Sequence, residues 1–254
     1  MEYFVDENSI VRRIWGDADT IFLIFGGAAA EFALSKAVDW LYFTGRLPAD
    51  PLNRMFSTVE YAKAIVFSKR DDAYLAIDGM SRIHATVEAN RGASIPDWAY
   101  RDVLFMLIDY SIRSFEVLER KLTETEKEEV FRVFYQVGHR MGINGLPDSF
   151  NIWTELRHNQ LETNFELSDY TNDLFKQYRK HLGIIRFRLL IEAQILIAPA
   201  EVRKLLKFRK FSLLRPLIGA YKISQYVKLD LLLKALILPA KYKKKINFLN
   251  KTAL

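Results

Sequence analysis

The stretch that decides the fold is residues 49–67, ADPLNRMFSTVEYAKAIVF. Asp50 is a typical N-cap residue and Pro51 follows at the first helical position, a combination that marks the start of a helix. After it, apolar side chains recur at steps of three and four residues, and they are Leu52, Met55, Phe56, Val59, Ala62 and Val66. This spacing places them on one face of a helix. The stretch therefore predicts an amphipathic helix packed on a core.

The same period continues along the chain on both sides of this stretch. Residues 123–142, TETEKEEVFRVFYQVGHRMG, begin with a capping box, Thr123 with Glu126, and end at a glycine. Two further helices are predicted before and after Gly183, the second ending at Pro199. No alternating strand pattern of useful length occurs. The sequence therefore predicts an all-α fold, with a single helical-bundle domain over residues 1–198 and a basic helical extension over residues 199–254.

Composition excludes several classes of protein and site. The 254 residues contain 11 Gly and 7 Pro, too few for a turn-rich sheet protein. The absence of cysteine excludes disulfides, thiolate metal sites, iron–sulfur clusters and a thiol nucleophile. The first residues lack the basic and apolar regions of a signal peptide, and no apolar run reaches the roughly 18 residues of a membrane span. We therefore expect a cytoplasmic protein, with peripheral membrane attachment as an option.

The charge distribution is uneven. Residues 199–254 hold 14 Lys and Arg against Glu201 and Asp230, a net charge of +12, whereas the whole chain has a net charge of +6. Leucine and isoleucine alternate with these cations, as in amphipathic helices that bind membrane surfaces. The alternative is that the apolar face packs on the body and the lysines form a solvated rim. Nucleic acid is not the expected partner because few stacking aromatics accompany the cations.

A histidine within an apolar run is the first candidate for chemistry. His84 lies in SRIHATVEAN, residues 81–90. It falls in the middle of an apolar stripe that continues through Ile77, Met80, Ile83 and Val87 and that we expect to be buried. One alternative is a core histidine whose ring is hydrogen-bonded by neighbours, and the other is a ligand of a bound group. No Walker A loop, GxGxxG, GxSxG or HExxH motif is present. A single histidine that faces the interior of a helical bundle is sufficient to hold haem iron.

Five pieces of sequence in a fixed order resemble a known family. They are DPLNRMFSTVEYAKAIVF, RIHATV, the pair Tyr100 and Asp102, LTETEKEEVF, and GINGLPDSF. In this order they resemble the helical haem oxygenases that include rubber oxygenase and the fungal mycophenolate-pathway oxygenase, over about residues 10–185. The resemblance implies a haem b in an all-α fold. It also implies a small hydrophobic, isoprenoid-like substrate whose carbon–carbon double bonds are oxidised or cleaved with dioxygen.

The resemblance also assigns residues to the haem site. It implies His84 as the axial iron ligand, with Arg82 two residues before it. Arg82 is either an ordinary surface arginine or a partner of a haem propionate, for which a guanidinium group is well suited. The Arg-x-x-x-Thr pair of the family matches Arg54 and Thr58, which would line the distal side and act in catalysis. In rubber oxygenase a lysine precedes that threonine and caps the iron, whereas here the residue is Ser57. We therefore expect an open or water-ligated distal site. Without the resemblance, Arg54, Ser57 and Thr58 would be read as a solvated polar face.

Two carboxylates and three further histidines are also candidates for a role in the site. The family uses a carboxylate upstream of the arginine, and Glu31 and Asp39 are both candidates that spacing does not separate. His139, His158 and His181 lie near charged residues or helix ends and are expected to be structural or exposed.

Three functions follow from these observations. The first is a haem-b-dependent oxygenase with His84 as ligand. The second is a non-catalytic helical protein without haem that binds a membrane or a partner through its basic extension. The third is a haem carrier or sensor.

Overall fold

The structure is a computed structural model that describes residues 2–45, 49–219 and 221. Ten helices are bounded within these residues and are labelled in chain order. They are α1 (Ile10–Gly16), α2 (Ala18–Leu34), α3 (Val38–Phe43), α4 (Pro51–Val66), α5 (Arg70–Arg91), α6 (Asp97–Leu118), α7 (Glu124–Arg140), α8 (Phe150–Thr163), α9 (Asp169–Ile197) and α10 (Ala200–Leu205). Extended pairing in the described residues is limited to two isolated bridges. The predicted all-α fold is confirmed.

Two helices begin at the N-cap residues that the sequence predicts. The Asp50 carboxylate accepts a hydrogen bond from the Asn53 amide at 3.1 Å, and Pro51 is the first residue of α4. At the start of α7 the Glu126 amide donates to the Thr123 hydroxyl at 3.2 Å. The Thr123 amide in turn donates to the Glu126 carboxylate at 2.8 Å, which completes the capping box. Both predicted helix starts are confirmed.

Helix α2 lies at the centre of the fold. It packs most extensively against α6 and α9, and it is buried on nearly all sides. Small residues allow this close approach: a Cβ atom added to Gly27 would collide with the Tyr110 ring of α6. One hydrophobic core, which includes Trp15, Phe56 and Phe115, joins α2 to the surrounding helices. The described helices thus form a single bundle.

Helix α9 changes direction at Gly183. This residue has φ 73° and ψ 172°, a conformation that side chains with a Cβ rarely adopt. Before the kink, the Thr171 hydroxyl donates to the Ala33 carbonyl at 2.6 Å and ties the helix to the end of α2. After the kink the helix runs to Ile197, just before Pro199. The two helical stretches predicted around Gly183 are therefore found as the two halves of α9.

The described part of the basic extension lies against the second half of α9. After the short helix α10 the chain continues mainly in turns, and Glu192 of α9 fixes it. The Ser212 hydroxyl donates to the Glu192 carbonyl at 2.9 Å, and the Leu213 amide donates to the Glu192 carboxylate at 2.7 Å. Residues 222–254 lie outside the described residues, so the domain boundary at residue 198 and the helical form of that part stay predictions. No helix in the described part of the chain is long and apolar enough to cross a bilayer.

Candidate active site

A cavity of about 700 Å³ lies between α2, α4, α9 and the segment that follows α10. Its wall is mainly aliphatic and aromatic, and representative residues are Phe22, Leu41, Leu52, Leu182, Leu190 and Leu196. Polar side chains also line it, and they include Asp19, Arg54, Thr58 and Arg186. An apolar cavity of this size with a few polar groups is typical of a site for a small hydrophobic ligand.

Arg54 and Thr58 share the face of α4 that lines the cavity, as their spacing of one turn predicts. The Thr58 hydroxyl donates to the Arg54 carbonyl at 3.2 Å, so its oxygen keeps acceptor capacity toward the cavity. The guanidinium of Arg54 carries only hydrogen-bond donors, so of these two side chains Arg54 supplies the donors to the cavity. Ser57 is half-buried and its hydroxyl donates to the same carbonyl at 2.8 Å. Its hydrogen bond is therefore made within its own helix.

His84 lies close to Arg54 but does not line the cavity. The ring is half-buried and packs edge-on against Tyr100, with ring centroids 5.2 Å apart. Its Nδ1 atom is buried and has no hydrogen-bond partner among the described residues. Burial lowers the pKa of His84 and the Arg54 charge lowers it further, although Glu88 opposes both. The neutral imidazole that results is the form that binds metals.

The second half of α5 is more exposed than the sequence predicted. Ala73 and Ile77 are buried as expected, but the Ile83 residue is 42% exposed. The expectation of a continuous buried stripe was therefore wrong at Ile83, because this end of α5 lies at the edge of the bundle. Arg82 is also exposed and lies one turn from Asp78, which forms an ion pair with Arg140.

The two candidate carboxylates are both held in ion pairs, and neither lines the cavity. Glu31 is 1% exposed, and its two oxygens accept hydrogen bonds from Arg157 at 2.6 and 2.8 Å. Asp39 pairs with Arg91 at 2.5 Å near the surface. The carboxylate that does line the cavity is Asp19, in the first turn of α2. Sequence reasoning missed it because an acidic residue in a first turn is typical of any helix.

Arg157 is the centre of a buried ionic network between α2, α6 and α8. Besides Glu31, its guanidinium donates to Asp109 at 3.1 and 3.0 Å and to the Gln160 side chain at 2.9 Å. These contacts use all five donors of the group. Burial opposes its charge, but Glu31 and Asp109 outweigh this effect and raise the pKa of Arg157 above its usual value. The cluster joins three helices through a charge that is fully compensated.

A second buried carboxyl group lies beside this network. Asp102 accepts hydrogen bonds at 3.0 and 2.9 Å from the Asn164 side-chain amide. Burial raises the pKa of Asp102 to about 7, and the hydrogen bonds from Asn164 only partly offset this effect. The negative charge of Glu31 raises it further. Asp102 therefore changes its protonation state near neutral pH.

The remaining histidines do not form a metal centre. His158 is exposed, and its Nε2 lies 3.5 Å from the Glu162 carboxylate. His139 packs against Tyr135 and is exposed, and His181 is half-buried. Among the described residues no three His, Asp or Glu side chains cluster in a way that would hold a bare metal ion. An axial haem ligand requires only one histidine, and His84 is the one with a buried, unpartnered nitrogen.

Comparison with known proteins places the chain in a family. No curated protein and no solved structure gives a significant match. A family model described as "ER-bound oxygenase mpaB/B'/Rubber oxygenase, catalytic domain" matches residues 12–220. This range covers most of the chain and includes α4, His84 and nearly all of the cavity wall. The chain therefore belongs to the family of mpaB and rubber oxygenase catalytic domains.

Proposed function

We propose that this protein is a haem-b-dependent oxygenase that uses dioxygen to oxidise or cleave a double bond in a hydrophobic, isoprenoid-like molecule. The observation that carries the proposal is the buried and unpartnered Nδ1 atom of His84 near Arg54, which itself lines the cavity. Membership of an oxygenase family supports the reaction class. Haem, the substrate and the roles of the residues are the parts that we infer.

The residues present fit a haem. His84 is held largely neutral by burial and makes no hydrogen bond in the described structure that would compete with an iron ligand. The family is haem-dependent in general, and haem supplies the activation of dioxygen when bound. Arg82 is exposed two residues before His84, and its guanidinium is suited to a propionate carboxylate. His84 and Arg82 would therefore hold the group.

The side chains of the cavity would bind and orient the reactants. Arg54 would donate hydrogen bonds to oxygen atoms on which negative charge develops. The Thr58 hydroxyl would accept a hydrogen bond from a bound reactant on the same side of the cavity. Ser57 has no amine to compete for the iron and already donates to the Arg54 carbonyl. The aliphatic wall would exclude water and bind the substrate by its apolar surface. Asp19, which lines the same wall, would be the carboxylate that accepts a proton.

A haem titration of the purified full-length protein tests this proposal. The wild type is expected to develop a Soret band that shifts on reduction. The His84→Ala variant should lose or displace this band, whereas the exposed His158→Ala variant should leave it unchanged. A wild type that takes up no haem, or a His84→Ala variant with an unchanged spectrum, would overturn the assignment of the ligand.

Turnover separates the three functions that the sequence left open. Haem uptake followed by oxygen-dependent loss of an unsaturated isoprenoid supports the oxygenase. Haem uptake without turnover of any such compound supports a haem carrier or sensor. A protein without haem would instead be a non-catalytic binding protein. Cytoplasmic location and membrane contact through the basic extension stay predictions at this point.

A further inference from the structure

Exposed apolar side chains surround the mouth of the cavity. Leu189 and Leu217 line the cavity and are also 36% and 57% exposed, so the cavity opens between them. We call the exposed apolar residues of these two segments the mouth patch, and they are Ile184, Ile185, Leu189, Phe211, Leu213 and Leu217. Ile185 and Leu213 are 78% and 67% exposed. A cluster of this kind marks an interaction site more often than isolated surface leucines do.

The two segments of the mouth patch are held together by α9. Glu192 lies three residues after Leu189. Its carboxylate accepts a hydrogen bond from the Leu213 amide at 2.7 Å and forms an ion pair with Arg209. This contact fixes the segment after α10 beside the exposed face of α9. The patch is therefore a single surface built by two parts of the chain.

Positive charge accompanies this surface. Residues 176–219 contain 11 Lys and Arg against two Glu, and one of these, Glu192, is already paired with Arg209. Exposed cations lie next to the apolar residues in the sequence: Arg188 precedes Leu189, and Arg215 lies between Leu213 and Leu217. Apolar side chains interleaved with Lys and Arg are characteristic of surfaces that bind anionic lipids.

We propose that the mouth patch docks on the surface of an anionic lipid bilayer, so that the cavity opens toward the lipid. The apolar side chains would enter the interface while Arg188 and Arg215 remain at the phosphates. A second copy of the chain is a poorer occupant because two surfaces of the same positive charge would repel each other. Residues 222–254 carry eight Lys against one Asp, so they do not complement the charge either.

This inference concerns attachment and does not depend on haem or on the proposed reaction. Its consequence for the substrate rests on the proposed function: a cavity that opens onto lipid receives an apolar molecule from the bilayer rather than from water. Vesicle binding measured with and without haem keeps the two proposals apart, since loss of haem binding in His84→Ala should leave vesicle binding intact.

Sedimentation of the full-length protein with vesicles tests the docking. One set contains phosphatidylcholine alone and the other contains phosphatidylcholine with phosphatidylserine. Wild type is expected to bind the anionic set and to release from it at high salt. Ile185→Gln with Leu213→Gln should weaken binding by at least about tenfold because the inserted apolar surface is lost. Arg188→Gln with Arg215→Gln should weaken binding by about fivefold per charge removed.

Matched changes elsewhere on the surface serve as controls. Leu75→Gln and Arg132→Gln alter an exposed leucine and an exposed arginine on α5 and α7 and should bind like wild type. Patch variants that bind as well as wild type would overturn the proposal and assign binding to residues 222–254. Failure of the wild-type protein to sediment with anionic vesicles would also overturn the proposal. So would self-association of wild type that the patch variants abolish without any vesicle binding.

Discussion

Replacement of Glu31 by glutamine is expected to destabilise the fold by about 3 kcal/mol, because it removes one partner of a buried ion pair. In the native protein, Glu31 accepts two hydrogen bonds from Arg157 at 2.6 and 2.8 Å, and both side chains are almost completely buried. Glutamine has the same shape but presents an amide donor to one of the guanidinium donors. Removal of one member of a buried pair costs about 3–5 kcal/mol. We expect the lower end of this range because Asp109 still compensates Arg157.

The assay is unfolding by urea and by heat. In a chain of this size 1 kcal/mol shifts Tm by about 2–4 °C, so the variant should melt about 6–12 °C lower. Asp39→Asn is the matched control, since its pair with Arg91 is partly exposed and should contribute less than about 1 kcal/mol. Arg157→Met combined with Glu31→Gln should cost less than the sum of the two single changes, because the pair is then removed as a unit.

The refuting result is specific. If Glu31→Gln is as stable as Asp39→Asn and yet loses turnover, Glu31 is the catalytic carboxylate and the structural role inferred here is wrong. If Asp39→Asn alone loses turnover at unchanged stability, Asp39 has that role and Asp19 does not.

Three further predictions concern other positions. Gly27→Ala should lower the free energy of unfolding by about 1–3 kcal/mol in denaturant because the new Cβ would collide with Tyr110. Gly26→Ala should be tolerated, since the nearest side-chain atoms lie 3.7 and 3.8 Å from a Cβ at that position. Equal stability of the two variants would refute the close contact between Gly27 and Tyr110. The Asp102 carboxyl keeps its proton to about pH 7 in the folded state, whereas in the unfolded state it ionises near the usual pKa of an aspartate. The free energy of unfolding should therefore fall by up to about 4 kcal/mol as pH rises from about 4 to about 7. Asp102→Asn should remove this slope in unfolding measured at several pH values, and a slope that persists would contradict it. Arg54→Gln should lower turnover by about 10²-fold with haem content unchanged, and a fall in haem content instead would make Arg54 a binding residue.

The helices were predictable because their signals are local. Asp50 with Pro51, and Thr123 with Glu126, are readable from a few adjacent residues, and each begins a helix in the structure. Gly183 likewise marked a break. The pairing of Arg54 with Thr58 on one face also followed from helical spacing alone.

The parts that were missed depend on contacts between distant segments. Arg157 was not singled out because a charged residue in a polar helix is usually exposed, and only Glu31 and Asp109, from two other helices, explain its burial. Asp19 has no distinguishing neighbour in sequence, and its place in the cavity wall follows from the packing of α2 against α9. Ile83 continued a helical stripe in sequence, but none of the described helices covers that end of α5 fully.

The kink at Gly183 divides α9 into two parts that both line the cavity. The first part carries Thr171, which is tied to Ala33, so it supports the fold in addition to supplying Leu182 to the cavity wall. The second part supplies Leu190 and Leu196 to the cavity wall and Leu189 to its mouth. Because a single residue absorbs the change in direction, substitutions in residues 184–197 would reshape the cavity and leave the first part in place. This half-helix is thus the natural position for swapping sequence between relatives to alter which molecules are accepted.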